Sequence, residues 1–276
     1  MIVEGDFDRD GVVCVRRAVG PRDLALAEAA VQANLVELSP LAIRASADDD
    51  GRFVEDFCNW QRIADLERFI RRSPAAAMAG QLMGSRTVRL YHDHLLVKDA
   101  GTRQRTPWHQ DQPYYNVDGR QAVSMWLPLD PVDRASSLEV VAGSHTGQWY
   151  LPRTFLDHHA AWFPQGSLAE LPDIDADRDS WPIVSWDLEP GDAVFFHMLA
   201  IHGAGPAPSG RDRRVLSVRF VGDDVTFAPR PWRTSPPFPG LEDELAAGAE
   251  LDHPLFPILW QDGELIDPGS DLGRCL

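Results

Sequence analysis

The stretch Thr87-Val-Arg-Leu-Tyr-His-Asp-His-Leu-Leu-Val-Lys98 is where the sequence takes on the short, turn-bounded runs typical of β-strands. Further strand-like runs, separated by Gly, Pro and Asp turns, follow at 122–129, 138–141, 183–187, 192–201 and 213–221. Many short strands after an initial helical region predict a mainly β fold, which we expect to be a β-sandwich or jelly roll braced by N-terminal α-helices.

The region before this stretch has the pattern of helices. Gly20-Pro21 begins the first helix, because proline is favoured at the first helical position. Apolar residues then recur at three- and four-residue spacing: Leu24, Ala27, Val31, Leu35 and Leu38. A second stretch carries Ile63, Leu66 and Ile70, and Pro74 interrupts it. We expect one domain over residues 1–276, with a helical brace at about 20–80, a jelly-roll core at about 86–222 and a proline-rich C-terminal strap.

Composition excludes several classes of function. The 276 residues are 44% hydrophobic and 25% charged, which suits a globular protein with a sizeable core. The net charge of −16 argues against nucleic acid or an anionic membrane as partner. No signal-like leader or membrane-length apolar run is present, so we expect a cytoplasmic location. The three cysteines, Cys14, Cys58 and Cys275, are odd in number and far apart, which indicates reduced thiols.

The densest chemistry lies in Thr106-Pro-Trp-His-Gln-Asp-Gln-Pro-Tyr-Tyr115. In an extended chain His109 and Asp111 project from the same face, so an imidazole and a carboxylate can bind adjacent positions on one metal ion. The best third ligand is His202, which we expect at the end of the strand that begins at Asp192, beside glycines that permit a tight turn. Two histidines and one carboxylate are typical of oxygen-activating Fe(II).

The alternatives to this metal site are open at this point. A lone His-x-Asp pair arises by chance in many proteins, where it has a structural or surface role. His197 and His145 compete with His202 as the third ligand, although His145 fits a turn residue better.

Strand parity adds a candidate for an anion site. In Arg213-Arg-Val-Leu-Ser-Val-Arg-Phe220, one face carries Arg213 and Ser217, and the other carries Leu216 and Phe220. If the apolar face packs on the helices, Arg213 points into the barrel, where a guanidinium needs a carboxylate partner such as a dicarboxylate co-substrate. The alternative is a surface arginine on an edge strand. By the same parity Trp126 lies opposite the apolar face of residues 122–129, as a pocket wall or as ordinary core.

Taken together, these residues resemble the phytanoyl-CoA dioxygenase family of Fe(II)/2-oxoglutarate oxygenases. The matching segments lie between about residues 5 and 235: 91–98, 106–111, 123–129, 137–145, 189–197 and 202–213. The order and spacing of these segments are far more specific than any one motif among them.

The resemblance implies a double-stranded β-helix of the cupin-like, jelly-roll kind, with iron held by His109, Asp111 and His202. It also implies 2-oxoglutarate as co-substrate with O2, and Arg213 as the partner of its distal carboxylate. The other implied co-substrate neighbours are Trp126, His94 and Lys98, the last being the only lysine of the chain. Many members have serine where this chain has Ala204, and we expect Ser217 or water to replace it. Halogenating relatives lack the carboxylate of Asp111, so hydroxylation or a related oxidation is expected.

The function expected from the sequence is therefore hydroxylation of an unactivated C–H bond of a small molecule, with release of succinate and CO2 and with ascorbate as the in vitro reductant. Candidate substrate contacts follow the metal motif or lie on nearby strands: Gln112, Tyr114, Tyr115, Asn116 and Arg219, with Trp60 and Trp232 as weaker ones. The competing functions are a cupin-like metal protein with a non-redox or ligand-binding role, and zinc hydrolysis, which lacks an obvious general base.

Overall fold

A computed structural model describes residues 2–152 and 168–266. The helices are α1 Phe7–Asp10, α2 Pro21–Val36, α3 Ala64–Arg72, α4 Ala75–Met83 and α5 Leu241–Glu244. The strands are β1 Ile2–Asp6, β2 Val12–Arg16, β3 Ile43–Arg44, β4 Phe53–Phe57, β5 Thr87–Lys98, β6 Thr106–His109, β7 Val117–Asp118, β8 Ala122–Pro128, β9 Leu138–Val141, β10 Ile183–Val184, β11 Ala193–His197, β12 His202–Ala204, β13 Arg213–Val221, β14 Thr226–Phe227, β15 Ile258–Gln261 and β16 Glu264–Leu265.

Two antiparallel sheets form the body of the fold. The large sheet has the order β1-β2-β11-β8-β13-β5-β15-β16, and β4 pairs with β5 and carries β3. The small sheet has the order β10-β9-β12-β6. Strands distant in sequence are neighbours in both sheets, which is the connectivity of a jelly roll rather than of a simple meander. The predicted mainly β, jelly-roll class is confirmed.

The outer face of the large sheet packs on the helices. On β13, Leu216, Val218 and Phe220 share one apolar cluster with buried residues of α2, α3 and α4. Fully burying a side chain such as Phe220 contributes about 1.5–3 kcal/mol, so this alternation fixes which face of β13 turns to the helices. Arg213, Ser217 and Arg219 consequently lie on the inner face, as the parity argument predicted.

The N-terminal brace differs from the prediction in one respect. Pro74 separates α3 from α4 as expected, but strands β3 and β4 lie between α2 and α3. All five residues of β4 are buried, and they read Phe-Val-Glu-Asp-Phe. A strand covered on both faces has no alternation of apolar and polar residues, so its sequence does not mark it as a strand.

The strand-like run at 192–201 also needed correction. The prediction joined 192–201 into one strand ending near His202, whereas β11 ends at His197. Residues 198–201 form a turn that carries the chain across to the small sheet, where His202 begins β12. Gly205 lies so close to the carbonyl of Ala135 that an added Cβ would be 2.0 Å from its oxygen. That glycine is thus needed for close backbone approach rather than for a tight turn.

Three sequence expectations concern the whole chain. Within the described residues, no helix is long and apolar enough to cross a membrane. Cys14 and Cys58 are free thiols, whereas Cys275 lies outside the described residues. The single-domain boundaries at 1 and 276 stay a prediction.

Candidate active site

The register of the small sheet brings two histidines together. His109 on β6 lies directly opposite His202 on β12, and their ring centroids are 4.1 Å apart. Nδ1–H of His109 donates to the carbonyl of Pro107 at 2.8 Å, and Nδ1–H of His202 donates to that of Ala200 at 3.0 Å. These bonds fix the tautomer and leave the Nε2 lone pair of each ring facing the same space, as in a metal site.

Asp111 completes the group, although not through an extended chain. It follows β6 in helical conformation, with φ −72° and ψ −49°, and its backbone N–H donates to the carbonyl of Met198. Its Oδ1 is 3.6 Å from Nε2 of each histidine. Its Oδ2 accepts a hydrogen bond from Ser124 at 2.7 Å and contacts the Arg219 guanidinium at 3.3 Å. The large sheet therefore occupies one carboxylate oxygen and leaves the other to the histidines.

The electrostatics of this group suit a metal ion. Burial lowers the pKa of His202 to about 3, so its imidazole is neutral at physiological pH. Burial by itself would raise the pKa of Asp111, but the nearby guanidinium of Arg219 outweighs burial and holds that pKa well below its ordinary value. One ligand atom from each of His109, Asp111 and His202 lies within 4.8 Å of the others. Among the described residues, these three are the cluster of histidine, cysteine and acidic side chains close enough to hold a metal ion together. The neutral imidazole of His202 and the ionised carboxylate of Asp111 are in the protonation states that metal ligands require.

The rival third ligands have other partners. Nε2–H of His197 donates to the carbonyl of Arg120 at 2.8 Å, while Nδ1 accepts from the backbone N–H of Leu199 at 3.0 Å. Both nitrogens of that ring are therefore used within the fold. His145 lies in a short 3-10 turn, with its ring centroid 5.3 Å from that of His197.

A cavity of about 430 Å³ opens beside the three candidate ligands. Its walls are mainly apolar, with the side chains of Ile43, Ala45, Phe57, Leu96, Leu138, Phe196 and Ala204 and the rings of Tyr114, Tyr115 and Trp126. A volume of this size lies within the range of about 300–1,000 Å³ found for small-molecule sites.

Arg213 is the unusual charge in this cavity. Only 2% of the residue is exposed, yet no carboxylate of residues 2–152 or 168–266 pairs with it. Its Nη1 donates to the carbonyls of Ser136 and Gly205, its Nε has no partner, and the guanidinium carbon is 5.8 Å from the Trp126 ring centroid. Burial lowers its pKa to about 10, so it stays charged at neutral pH. A buried, unpaired guanidinium is costly to the fold and suits an anionic ligand.

Lys98 lies next to Arg213 but does not line the cavity. The two residues are direct partners in the pairing of β5 with β13. Nζ of Lys98 donates to the carbonyls of Gln104 and Gly205 and lies 4.5 Å from the Phe53 ring centroid. Burial lowers the pKa of this ammonium well below its ordinary value. Its contacts hold the same carbonyl of Gly205 that Arg213 contacts, so Lys98 supports the wall rather than facing the cavity.

The other predicted co-substrate residues, Trp126, His94 and Ser217, all line the cavity. The Ser217 hydroxyl already donates to the carbonyl of Met125 at 2.7 Å, so it offers only lone pairs to a ligand. The expectation that Ser217 or water takes the place of the serine that this chain lacks at position 204 stays a prediction with that restriction.

The predicted substrate contacts divide into two groups. Tyr114, Tyr115 and Arg219 line the cavity. Gln112 and Asn116 do not, because the short 3-10 helix after Asp111 turns them into the fold. The Gln112 amide donates to the carbonyl of Gly119, and Asn116 accepts from the Tyr91 hydroxyl.

The two weaker substrate candidates also lie away from the cavity. Trp60 packs in the helical core and against the Arg71 guanidinium. Trp232 donates through Nε1 to the carbonyl of Pro113.

Sequence reasoning missed Glu55 and Phe57, which line the cavity from β4. Their strand lies inside the region predicted to be helical. Two consecutive acidic residues inside the short, otherwise apolar run Phe53-Val-Glu-Asp-Phe57 were the available signal, but such a pattern is common on protein surfaces.

Comparison with known proteins places the chain in a family. The family described as "Phytanoyl-CoA dioxygenase (PhyH)" matches residues 7–215. A probable phytanoyl-CoA dioxygenase of Caenorhabditis elegans is 27% identical over 188 residues, which cover 66% of this chain and 54% of that protein. Peroxisomal phytanoyl-CoA dioxygenase of Mus musculus is 31% identical over 131 residues, which cover 46% of this chain and 36% of that protein. The chain thus spans about half the length of these curated relatives, or less.

Solved structures share the fold. SnoN, an epimerase crystallised with Fe3+, alpha ketoglutarate and nogalamycin RO, has a TM-score of 0.73 at 21% identity, covering 91% of this chain and 95% of SnoN. SnoK, described as a non-heme alpha ketoglutarate dependent carbocyclase, has a TM-score of 0.71 at 21% identity, covering 91% and 93%. With a family match over three quarters of its length, and the metal-type triad and jelly roll in place, the chain belongs to the phytanoyl-CoA dioxygenase family.

Proposed function

We propose that this protein is an Fe(II)- and 2-oxoglutarate-dependent oxygenase that hydroxylates a small molecule. The observation that carries the proposal is Arg213, a buried guanidinium without a carboxylate partner among the described residues, in the same cavity as a two-histidine, one-carboxylate triad. A metal site alone is compatible with a non-redox cupin-like protein or a hydrolase. An adjacent anion site of this kind calls for a carboxylate-bearing co-substrate.

The residues fit the implied metal. Nε2 of His109, Nε2 of His202 and Oδ1 of Asp111 would hold it, and all three residues line the cavity. Bound Fe(II) would supply oxygen activation, coupled to conversion of 2-oxoglutarate to succinate and carbon dioxide.

The chain itself would bind, orient and shield the reactants. Arg213 would bind the distal carboxylate of 2-oxoglutarate, and the indole of Trp126 would limit where the co-substrate chain can lie. Ser124 and Arg219 would keep Asp111 from rotating by holding Oδ2. The apolar wall would exclude water, which strengthens each charged contact inside the cavity.

The finer choice of hydroxylation is also part of the proposal. SnoN and SnoK are described as an epimerase and a carbocyclase, so members of this fold have other outcomes. Mass spectrometry of products made under labelled oxygen separates these outcomes, because neither epimerisation nor ring closure adds an oxygen atom to the product.

Succinate release tests the reaction class without a known substrate. We expect slow formation of succinate when Fe(II), ascorbate and 2-oxoglutarate are supplied together, and none when Zn(II) replaces Fe(II). Anaerobic addition of 2-oxoglutarate to the Fe(II)-loaded protein should also produce a visible charge-transfer band. Iron binding without either signal would favour the non-redox, cupin-like alternative.

A further inference from the structure

Arg219 is the second guanidinium that β13 brings to the inner face of the large sheet. The residue is 4% exposed and lines the cavity. Its Nε donates to the Tyr115 hydroxyl at 3.1 Å, and its Nη2 lies 3.3 Å from Oδ2 of Asp111. Its Nη1 has no hydrogen-bond partner within residues 2–152 and 168–266. The described protein therefore uses two of the three nitrogens of this guanidinium and leaves the third without an acceptor.

Holding Asp111 does not account for a whole guanidinium at position 219. One donor to Oδ2 restrains that carboxylate, and the Ser124 hydroxyl already supplies one at 2.7 Å. A buried N–H group without an acceptor destabilises the fold, so the third nitrogen is costly unless a ligand supplies its acceptor. Nη1 of Arg219 therefore calls for a bound group that accepts hydrogen bonds.

That group is distinct from the distal carboxylate of 2-oxoglutarate, which the proposed function assigns to Arg213. Six residues of strand separate Arg213 from Arg219, which is about 20 Å along the backbone. Arg219 instead contacts Asp111, whose Oδ1 is 3.6 Å from Nε2 of both candidate histidine ligands. A group held by Arg219 would therefore lie beside the metal triad, where the substrate is oxidised.

The charge balance of the inner cavity favours an anion as this group. Arg213 and Arg219 are both buried, and the carboxylate of Asp111 balances one of them. Burial raises the pKa of Glu55 to about 8, so that carboxyl is largely uncharged at neutral pH. Bound Fe(II) and the 2-oxoglutarate dianion cancel each other, and one positive charge remains. A monoanion would neutralise this charge, whereas an ammonium group would be repelled.

We propose that Arg219 binds the acid group of the primary substrate, which is a monoanionic carboxylate on an apolar skeleton. This inference rests on the proposed function, which leaves the substrate open. One unpartnered nitrogen offers too few donors for a phosphate dianion, whereas it suits a carboxylate. The skeleton would lie against Tyr114 and against the Phe196 ring, whose centroid is 4.4 Å from that of His202. The oxidised carbon would then lie a few bonds from the acid group.

Matched acids and amides test this binding. Each pair is a carboxylate and its primary amide on one skeleton: benzoate and benzamide, 4-phenylbutanoate and 4-phenylbutanamide, 2-naphthoate and 2-naphthamide, with 2-naphthylmethylammonium as the cation. Calorimetry measures their affinities on anaerobic protein saturated with Fe(II) and 2-oxoglutarate, so that Arg213 is occupied. A hydrogen bond to a charged rather than a neutral acceptor predicts that at least one acid binds about 5- to 30-fold more tightly than its amide.

Variants assign this preference to the guanidinium. Arg219→Gln should bring the ratio of affinities close to one, and Arg219→Lys should keep part of it, because an ammonium keeps the charge but not the planar set of donors. Ser124→Ala is the matched control, since it removes the other donor to Oδ2 of Asp111 and keeps the guanidinium. Its ratio should equal that of wild type. Arg214→Ala removes the same charge from the outer face of the strand and should also keep the ratio.

Several results would overturn the proposal. They are equal binding within every pair, tighter binding of the ammonium, and an undiminished preference in Arg219→Gln or Arg219→Lys. Loss of the preference in Ser124→Ala would show that Arg219 acts only through Asp111. A loss of 2-oxoglutarate affinity in Arg219→Gln as large as that in Arg213→Ala would assign Nη1 to the co-substrate. Circular dichroism checks folding, and Arg219→Lys decides if Arg219→Gln misfolds.

The charge-transfer band separates this inference from the proposed function, because the band needs no primary substrate. Absence of the band in wild type would reject the oxygenase. The acid-to-amide ratio on Zn(II)-loaded protein would then still decide the acid subsite, since wild type and Arg219→Gln share the same Arg213. A normal band with a ratio close to one in wild type would reject the acid subsite alone.

Discussion

Replacing Arg213 by alanine should weaken 2-oxoglutarate binding far more than iron binding. The guanidinium is buried, lies against Trp126 and lacks a carboxylate partner among the described residues, so the co-substrate would supply its counter-charge. Loss of a charge-assisted, shielded pair costs about 2–5 kcal/mol, or roughly 30- to several thousand-fold in affinity. Arg213→Lys should lie between wild type and Arg213→Ala, since a lysine keeps the charge but cannot bind a carboxylate through two parallel hydrogen bonds.

Part of the effect of this substitution is structural and must be measured separately. Arg213 also donates to the carbonyls of Ser136 and Gly205, and truncation leaves these oxygens without that donor. A lost hydrogen bond of this kind costs about 1–3 kcal/mol of folding free energy, which lowers the melting temperature without requiring a change in ligand affinity. Thermal unfolding therefore reports the structural loss, and ligand titration reports the binding loss.

Arg214 provides the matched control on the same strand. Its side chain faces away from the cavity and pairs with Asp130 through contacts of 2.6–3.2 Å. The assay is anaerobic titration of 2-oxoglutarate into Fe(II)-loaded protein, followed through the charge-transfer band, with iron affinity measured independently. Arg214→Ala should leave the titration close to that of wild type. Similar effects in the two variants, or a larger effect at Arg214, would refute the assignment of the anion site.

Three further predictions concern the metal. His202→Ala should abolish most Fe(II) binding and nearly all turnover, whereas His197→Ala should keep normal iron affinity. Equilibrium dialysis measures the iron affinity of the two variants, and the reverse order would identify His197 as the ligand. Ser124→Ala should weaken iron binding by about 10-fold, because the substitution removes the hydroxyl that donates to Oδ2 of Asp111. An unchanged iron affinity would show that Ser124 does not position Asp111. Wild-type protein in chloride buffer should form oxygenated and no chlorinated products, whereas Asp111→Gly should mostly lose activity; a chlorine isotope pattern in the wild-type products would contradict the hydroxylase.

The parts of the site that lie on alternating strands were predictable from sequence. On β13 the apolar residues at 216, 218 and 220 must meet the helices, and that requirement turns Arg213 and Arg219 inward. The same reasoning placed Trp126 on the inner face of β8. Both conclusions follow because the side-chain period of a strand is two and one face of the large sheet is covered by helices.

The parts that depend on turns or on doubly covered strands were not predictable. Asp111 was expected in an extended chain, and Gln112 and Asn116 were expected at the substrate. The chain instead becomes helical at Asp111, and this turns the next residues into the fold. Glu55 was missed because β4 is buried on both sides and shows no alternation. Backbone direction at a turn is set by distant contacts, such as the one between Asp111 and Met198, which no local pattern records.

The arrangement of the triad also has a mechanical consequence. His109 and His202 belong to the small sheet, whereas Ser124 and Arg219, which hold Asp111, belong to strands β8 and β13 of the large sheet. An ion bound by all three ligands would therefore link the small sheet to the large sheet through Asp111. Each tenfold rise in free metal above its dissociation constant would add about 1.4 kcal/mol to the resistance of the fold to unfolding. Metal binding would then stabilise the contact between the two sheets as well as the site itself.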